Sequence, residues 1–359
     1  MKNIFDNLDR IQKTDTQDML GRINNLPTQL SSAWEIAQKP LLPDWQGIQL
    51  IVIAGMGGSA IGGDLAAAYL ASKSEIPVFV HRDYDLPAFA NGQTTLVICS
   101  SHSGNTEETL SAFKAAQVND CQIIAVCTGG KLANAARQNK IPLFQFDDDF
   151  QPRAAVGFSF GILLGIISRF GLTPDPSSEI ANTISAMQTQ QKQLQPEVPI
   201  SQNKAKLITG QIIDRHINVF GADFLAPVAR RWKTQINENA KAFATFEVLP
   251  EADHNTHQGI VVPHILTSTV INLFLYSQHN HPNNQQRIKL TREAMMLEGI
   301  NAERIKAKGT SLLSDMWTLL HLGDYISFYL AMHYGIDPTP VPMLKELKEK
   351  MKTQNKNSS

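Results

Sequence analysis

Cysteine is scarce in this chain: Cys99, Cys121 and Cys127 are all there is in 359 residues, and no two are spaced CxxC. That excludes a disulfide framework and a cysteine-rich metal site, and leaves buried thiols of a reducing compartment. One-sided charge is missing too. The 32 Lys and Arg balance 33 Asp and Glu to a net −1, so nothing in the balance points to a nucleic-acid binder or a polybasic membrane protein. Long apolar runs are absent. Val156–Ile167 is too short to span a bilayer and stops at Ser168-Arg169. The first twenty residues hold no apolar stretch of signal-peptide length, so the expected location is the cytoplasm. What remains is the balance of a soluble globular protein, 43% hydrophobic and 18% charged. Its length exceeds one ordinary core, so two domains are expected.

The most informative stretch is TTLVICSSHSGNTEETL at 94–110. Leu96–Cys99 reads as a buried parallel strand. It turns through Ser100, Ser101, Ser103, Gly104, Asn105 and Thr106 into a helix opened by Glu107 and Glu108. A strand that passes through hydroxyls into a helix start makes an anion cradle, because free backbone N–H groups and the positive dipole end face the bound group. No cation lies in the loop, which suits a phosphate monoester better than a triphosphate with Mg²⁺. The plainer alternative is an ordinary serine cap, but four hydroxyls around one glycine are more than a cap needs.

Residues 1–45 read as an amphipathic helical arm, with Met19, Ile23, Leu26 and Leu30 at helical spacing and Pro27 expected to break it. From Gln49 strands alternate with helices, the pattern of a doubly wound parallel sheet. Leu50–Ala54 runs into Gly55-Met56-Gly57-Gly58-Ser59-Ala60, where Gly58 lets backbone approach a ligand and Ser59 reads as a contact. The same loop fits G-x-G-x-x-A, a weak dinucleotide signal on its own. Arg153 heads an apolar helix ending near Arg169. A cation there is misplaced against the dipole unless it meets a negative ligand; otherwise it pairs with the acidic run Asp147–Asp149. A linker with a helix over 180–194 fills 172–210. Alternation then restarts, with strands expected at 216–220, 245–248, 265–275 and 304–307 and a helix over 225–244.

That helix carries Glu238 between Asn237 and Asn239, which can orient its carboxylate, or Glu238 is a surface partner of Lys241. Glu251-Ala252-Asp253-His254-Asn255-Thr256-His257 is a compact polar cluster. No zinc-type spacing accompanies its histidines, so no metal is expected; His254 suits proton transfer near neutral pH. Leu344, Leu347 and Met351 recur at helical spacing near the end, with Lys345, Lys348 and Lys350 alongside.

Taken together, GMGGSAIGGDL at 55–65, SSHSGNTEETL at 100–110, PRAAVGF at 152–158, NENAK at 237–241, EADHN at 251–255 and DYISFYLA…GIDPTPV at 324–341 resemble the bifunctional phosphoglucose/phosphomannose isomerase family, end to end. The resemblance implies an α/β chain of two sugar-isomerase (SIS) domains, each a parallel sheet flanked by helices in an αβα sandwich, at 46–171 and 211–359. It implies interconversion of glucose 6-phosphate, and of mannose 6-phosphate, with fructose 6-phosphate through a cis-enediolate, without cofactor or metal. Gly58, Ser59, Ser101, Ser103 and Thr106 would then hold the sugar phosphate. Glu238 would be the base, Arg153 would face the enediolate oxygens, and His254 would serve ring opening with Lys348 as helper. Thr339 would let both C2 epimers be accepted. The resemblance also implies a homodimer whose histidine comes from the neighbouring chain. A non-catalytic SIS sensor of sugar phosphates is the alternative, and the serine loop fits it equally well.

Overall fold

The computed structural model describes residues 4–260 and 262–357, with side chains to 351. Two parallel sheets form the frame. The first has strands β1 (Leu50–Ala54), β2 (Val78–His81), β3 (Thr95–Ser101), β4 (Gln122–Cys127) and β5 (Leu143–Gln145), in the order β2-β1-β3-β4-β5. The second has β6 (His216–Ala222), β7 (Ala244–Leu249), β8 (Val270–Tyr276) and β9 (Asn301–Lys306), in the order β7-β6-β8-β9. Every pairing in both is parallel. The central strands are buried on both faces, which is why β3 reads as one apolar run and not as an alternation.

Helices α1 (Leu8–Thr14), α2 (Met19–Asn24) and α3 (Leu26–Gln38) make the N-terminal arm. The helical pattern does break beside Pro27: α2 ends at Asn24, and Pro27 sits in the first turn of α3, where its missing N–H costs nothing. Helices α4 (Gly57–Leu70), α5 (Glu107–Val118) and α6 (Gly130–Gln138) flank the first sheet, and α7 (Val156–Arg169) packs on α3 and α4. Next come α8 (Ser177–Gln191), α9 (Lys204–Ile212), α10 (Ala226–Asn239), the single turn α11 (Leu266–Thr269), α12 (Pro282–Leu297), α13 (Leu312–Tyr334) and α14 (Pro342–Asn357). One large apolar cluster runs from the N-terminal arm through Phe160 and Leu164 of α7 to Trp232, Trp317 and Tyr329 of the second half. The two sheets are thus joined by a shared core, with α13 buried along nearly its whole length.

Several sequence expectations are corrected. The helix expected over 225–244 ends at Asn239, because Lys241 adopts a left-handed backbone (φ 54°) that helices do not continue. The stretch 265–275 splits into α11 and β8. A second helix besides α8, α9, runs from the expected linker helices two residues past position 210. Its start is marked by Asn203, whose side chain accepts from the N–H of Ala205 and Lys206. Among the described residues no helix is long and apolar enough to cross a membrane, and the three cysteines are buried and free.

Candidate active site

The serine loop lies at the carboxyl end of β3, the place where open α/β sheets bind ligands. Thr106 is the N-cap of α5 yet makes no capping hydrogen bond. Its hydroxyl instead pairs with that of Ser101 at 2.9 Å. The ordinary-cap reading therefore fails, and among the described residues no side chain accepts from the first N–H groups of α5. Ser59 Oγ accepts from the N–H of His102 at 3.2 Å, and Ser103 Oγ accepts from that of Asn105 at 3.2 Å. A hydroxyl used as an acceptor keeps its own hydrogen for an outside oxygen. Two glycines make the geometry possible. A Cβ on Gly104 (φ 65°) would stand 1.8 Å from the Gly129 carbonyl oxygen, and one on Gly58 would stand 2.5 Å from that of Pro152. A small cavity beside the loop is lined by Gly58, Ser59, Ser100, His102, Pro152 and Ser159, among others.

The close approach of Gly58 to Pro152 brings the next residue, Arg153, to the edge of this cradle. Arg153 is 4% exposed and does not pair with the acidic run. Asp148 is taken by His102 at 2.8 Å and Arg22 at 3.1 Å. Arg153 crosses instead to the second half. Its Nε donates to Asn239 Oδ1 (2.8 Å), and one terminal nitrogen donates to the carbonyls of Pro338 (2.8 Å) and Thr339 (2.7 Å). The other terminal nitrogen is 3.6 Å from the Glu238 carboxylate. Burial lowers the affinity of Arg153 for its proton, opposed chiefly by Glu238. Glu238 is half-buried at the end of α10. The asparagines do not orient its carboxylate: Asn239 serves Arg153 and donates to Ser327 Oγ, while Asn237 donates to the Ala242 carbonyl. Nor is Lys241 an ion-pair partner, since its ammonium meets the Glu238 carbonyl and not the side chain.

Arg231 has a role that sequence reading missed. Buried at 1% exposure, it pairs with Asp324 of α13 at 3.0 Å and donates to the Arg153 carbonyl at 2.6 Å. It thereby fixes the backbone that aims Arg153. Thr339 is 1% exposed, with its hydroxyl oxygen unpartnered among the described residues. Gly58, Ser59, Ser101, Ser103 and Thr106 are gathered in the first half, and Arg153, Glu238 and Thr339 beside them. His254 is exposed at the end of a short 3-10 turn, and Lys348 is exposed on α14. Among the described residues no hydrogen bond or ion pair joins either of them to Glu238 or Arg153.

Known proteins share both the sequence and this arrangement of sheets. A protein from Caldicellulosiruptor bescii, a bifunctional phosphoglucose/phosphomannose isomerase, is 39% identical over 338 residues, covering 93% of this chain and 98% of the relative. The chain belongs to the bifunctional phosphoglucose/phosphomannose isomerase family. An Aquifex aeolicus protein of the same name is 33% identical, with 89% and 94% of the two chains covered. The SIS domain model matches residues 49–142, and the model for the bacterial phospho-glucose isomerase C-terminal SIS domain matches 201–351. A hypothetical protein from Thermus thermophilus shares the fold at a TM-score of 0.73 and 14% identity, with 96% and 94% covered. The family's two-SIS architecture is thus that of the two parallel sheets described above.

Proposed function

We propose that this chain is an aldose–ketose isomerase interconverting glucose 6-phosphate and mannose 6-phosphate with fructose 6-phosphate. The observation that carries the reading is the meeting of two halves: an uncapped, hydroxyl-lined helix start from the first sheet and, across Arg153, a carboxylate from the second. Ser59, Ser101, Ser103 and Thr106, with the N–H groups of α5 and the backbone at Gly58, hold the phosphate. Glu238 takes the proton from C2 of the open-chain aldose, leaving a cis-enediolate, and returns it to C1 while the hydroxyl proton passes from O2 to O1, giving the ketose. Arg153 stabilises the negative charge that builds on the enediolate oxygens, so no redox step is required. Removal and return of the C2 proton on either face yields the two epimers, and the unpartnered Thr339 hydroxyl is the group suited to tolerate both.

Ring opening needs a separate acid and base. We assign it to His254, aided by Lys348, both supplied by the second chain of a homodimer. Two features support this arrangement. Neither residue meets Glu238 within one chain, and α14 leaves Met343, Leu344, Leu347 and Met351 exposed at 82%, 47%, 56% and 49%, an apolar stripe that a second copy would cover. The buried free thiols fit a reducing cytoplasm. The residue ranges 46–171 and 211–359 are taken as the two SIS domains, with 1–45 as the arm and 172–210 as the linker.

A coupled assay with fructose 6-phosphate tests the reading. The wild-type chain is expected to form glucose 6-phosphate and mannose 6-phosphate, and Glu238→Gln to lose roughly 10²–10⁴ in kcat while still binding substrate. A wild-type chain that binds fructose 6-phosphate and converts none of it is a sugar-phosphate sensor instead.

A further inference from the structure

Lys241 stands two residues beyond α10, the helix that ends in Glu238-Asn239. Its left-handed backbone folds the side chain back over the helix end, and its Nζ donates to the carbonyls of Glu238 (2.9 Å) and Asn239 (3.3 Å). A lysine that merely capped a helix would stop there. This one also reaches the carbonyls of Asp337 (2.9 Å) and Pro338 (3.1 Å) of the loop after α13, its three N–H groups being shared among the four acceptors. The Pro338 carbonyl accepts from Arg153 as well, and so does the adjoining Thr339 carbonyl. Two cations from different segments therefore grip one loop, and that loop carries Thr339. No carboxylate lies within ion-pair distance of Nζ among the described residues. The bonds are charge-assisted and made to backbone, so they report position and not neutralisation.

We infer that Lys241 is a positioning residue of this site: it fastens the 337–339 loop to the end of α10 and so sets how Thr339 and Arg153 stand relative to the Glu238 carboxylate. The inference rests on the isomerase reading above. The charged groups that bear on the ammonium are Arg153, Asp337 and Glu238. Burial, and then Arg153, lower its pKa to about 8, while Asp337 and Glu238 oppose the shift. Protonated, Lys241 holds both sides of the clamp; once it loses its proton near pH 8 the grip on the four carbonyls weakens. Arginine at the same place cannot lose its proton in this range.

The test compares full-length wild type, Lys241→Met and Lys241→Arg, measuring kcat and KM for both aldose phosphates from about pH 6 to 9.5, a range that brackets the lysine's titration. A misplacement of about 1 Å can cost up to roughly 10²-fold in rate. Lys241→Met is therefore expected to lose about tenfold or more in kcat, with KM for the phosphate-anchored substrates within about twofold and an altered glucose-to-mannose ratio. Lys241→Arg is expected to recover most of the rate at about pH 7 and to hold it above about pH 8, where the wild type declines. Wild-type kcat in Lys241→Met overturns the inference. So does an alkaline decline in Lys241→Arg identical to that of the wild type, a result available even where the methionine variant does not fold. The isomerase reading itself falls only if the wild type has no turnover.

Discussion

The two sheets pose the same local problem and solve it differently. In each, a central pair of parallel strands, β1 with β3 and β6 with β8, opens a crevice at its carboxyl end, and a helix starts there. In the first half the start of α5 is uncapped and ringed by hydroxyls. In the second half the chain fills the place with its own carboxylate. Asp223, just past β6, accepts from the N–H of His281 (3.0 Å) and from the side-chain amides of Asn280 (3.1 Å) and Asn284 (2.6 Å) at the start of α12. His281 adds a side-chain cap. The first helix start is left open; the second is closed by an internal carboxylate. The same architecture therefore carries either an open helix start or a closed structural joint, so the fold alone does not assign a function.

Exchanging these features sharpens the comparison. Ser101→Asp puts a carboxylate at the proposed phosphate site. Like charges there are expected to raise KM for fructose 6-phosphate by more than about 10²-fold, while the chain stays folded; steady-state kinetics and circular dichroism check this. Thr106→Val removes one donor to a charged group, worth about 1.5–3 kcal/mol, so KM is expected to rise roughly tenfold or more. Asp223→Ser takes the carboxylate from the Asn284 amide and the His281 N–H, while the Asn280 amide keeps the Ala222 carbonyl. Its expected cost is about 1–3 kcal/mol of stability in urea unfolding, with kcat/KM unchanged. A large loss of kcat/KM in that variant would mean that the second crevice takes part in the reaction.

The smallest effect concerns the core that both halves share. His321 on α13 is fully buried and bonds the Ile23 carbonyl of α2 at 2.9 Å. Burial lowers its pKa from 6.5 to about 4. The unfolded chain thus binds more protons between these values, and stability rises with pH across that window. On acidification the stability contributed by the neutral ring is lost from about pH 6.5 downward. The loss amounts to at most about 3 kcal/mol, at about 1.36 kcal/mol per unit. His321→Gln is expected to flatten this part of the pH–stability curve from chemical denaturation. The two halves should also unfold together, because the cluster from Phe160 to Trp317 crosses between them.

The alternation of strands and helices was legible in the sequence in both halves, since strands buried on both faces leave unbroken apolar runs. The serine loop was legible because so many hydroxyls at a strand end serve no packing purpose. The misplacement of Arg153 against a helix dipole was a usable signal; its partner was not, because Asn239 and the 338–339 carbonyls are distant in sequence. Helix α9 hid within polar surroundings, though Asn203 marked its start and Lys206 proves fully buried against Asp6 at 2.8 Å. The end of α10 was misjudged because nothing in the letters Asn-Ala-Lys discloses a left-handed lysine. The paired role of Arg231 and Asp324 was likewise hidden, since a buried ion pair between two helices has no local signature.

The most direct test of the central claim, that a carboxylate from the second half works on a substrate held by the first, is solvent exchange at carbon. Fructose 6-phosphate is incubated in deuterium oxide with wild type and with Glu238→Gln, and deuterium at C2 of the aldose products and at C1 of the ketose is followed by NMR. The account predicts exchange with the wild type and none above background with Glu238→Gln at matched substrate occupancy. Exchange at the wild-type rate in Glu238→Gln would contradict it.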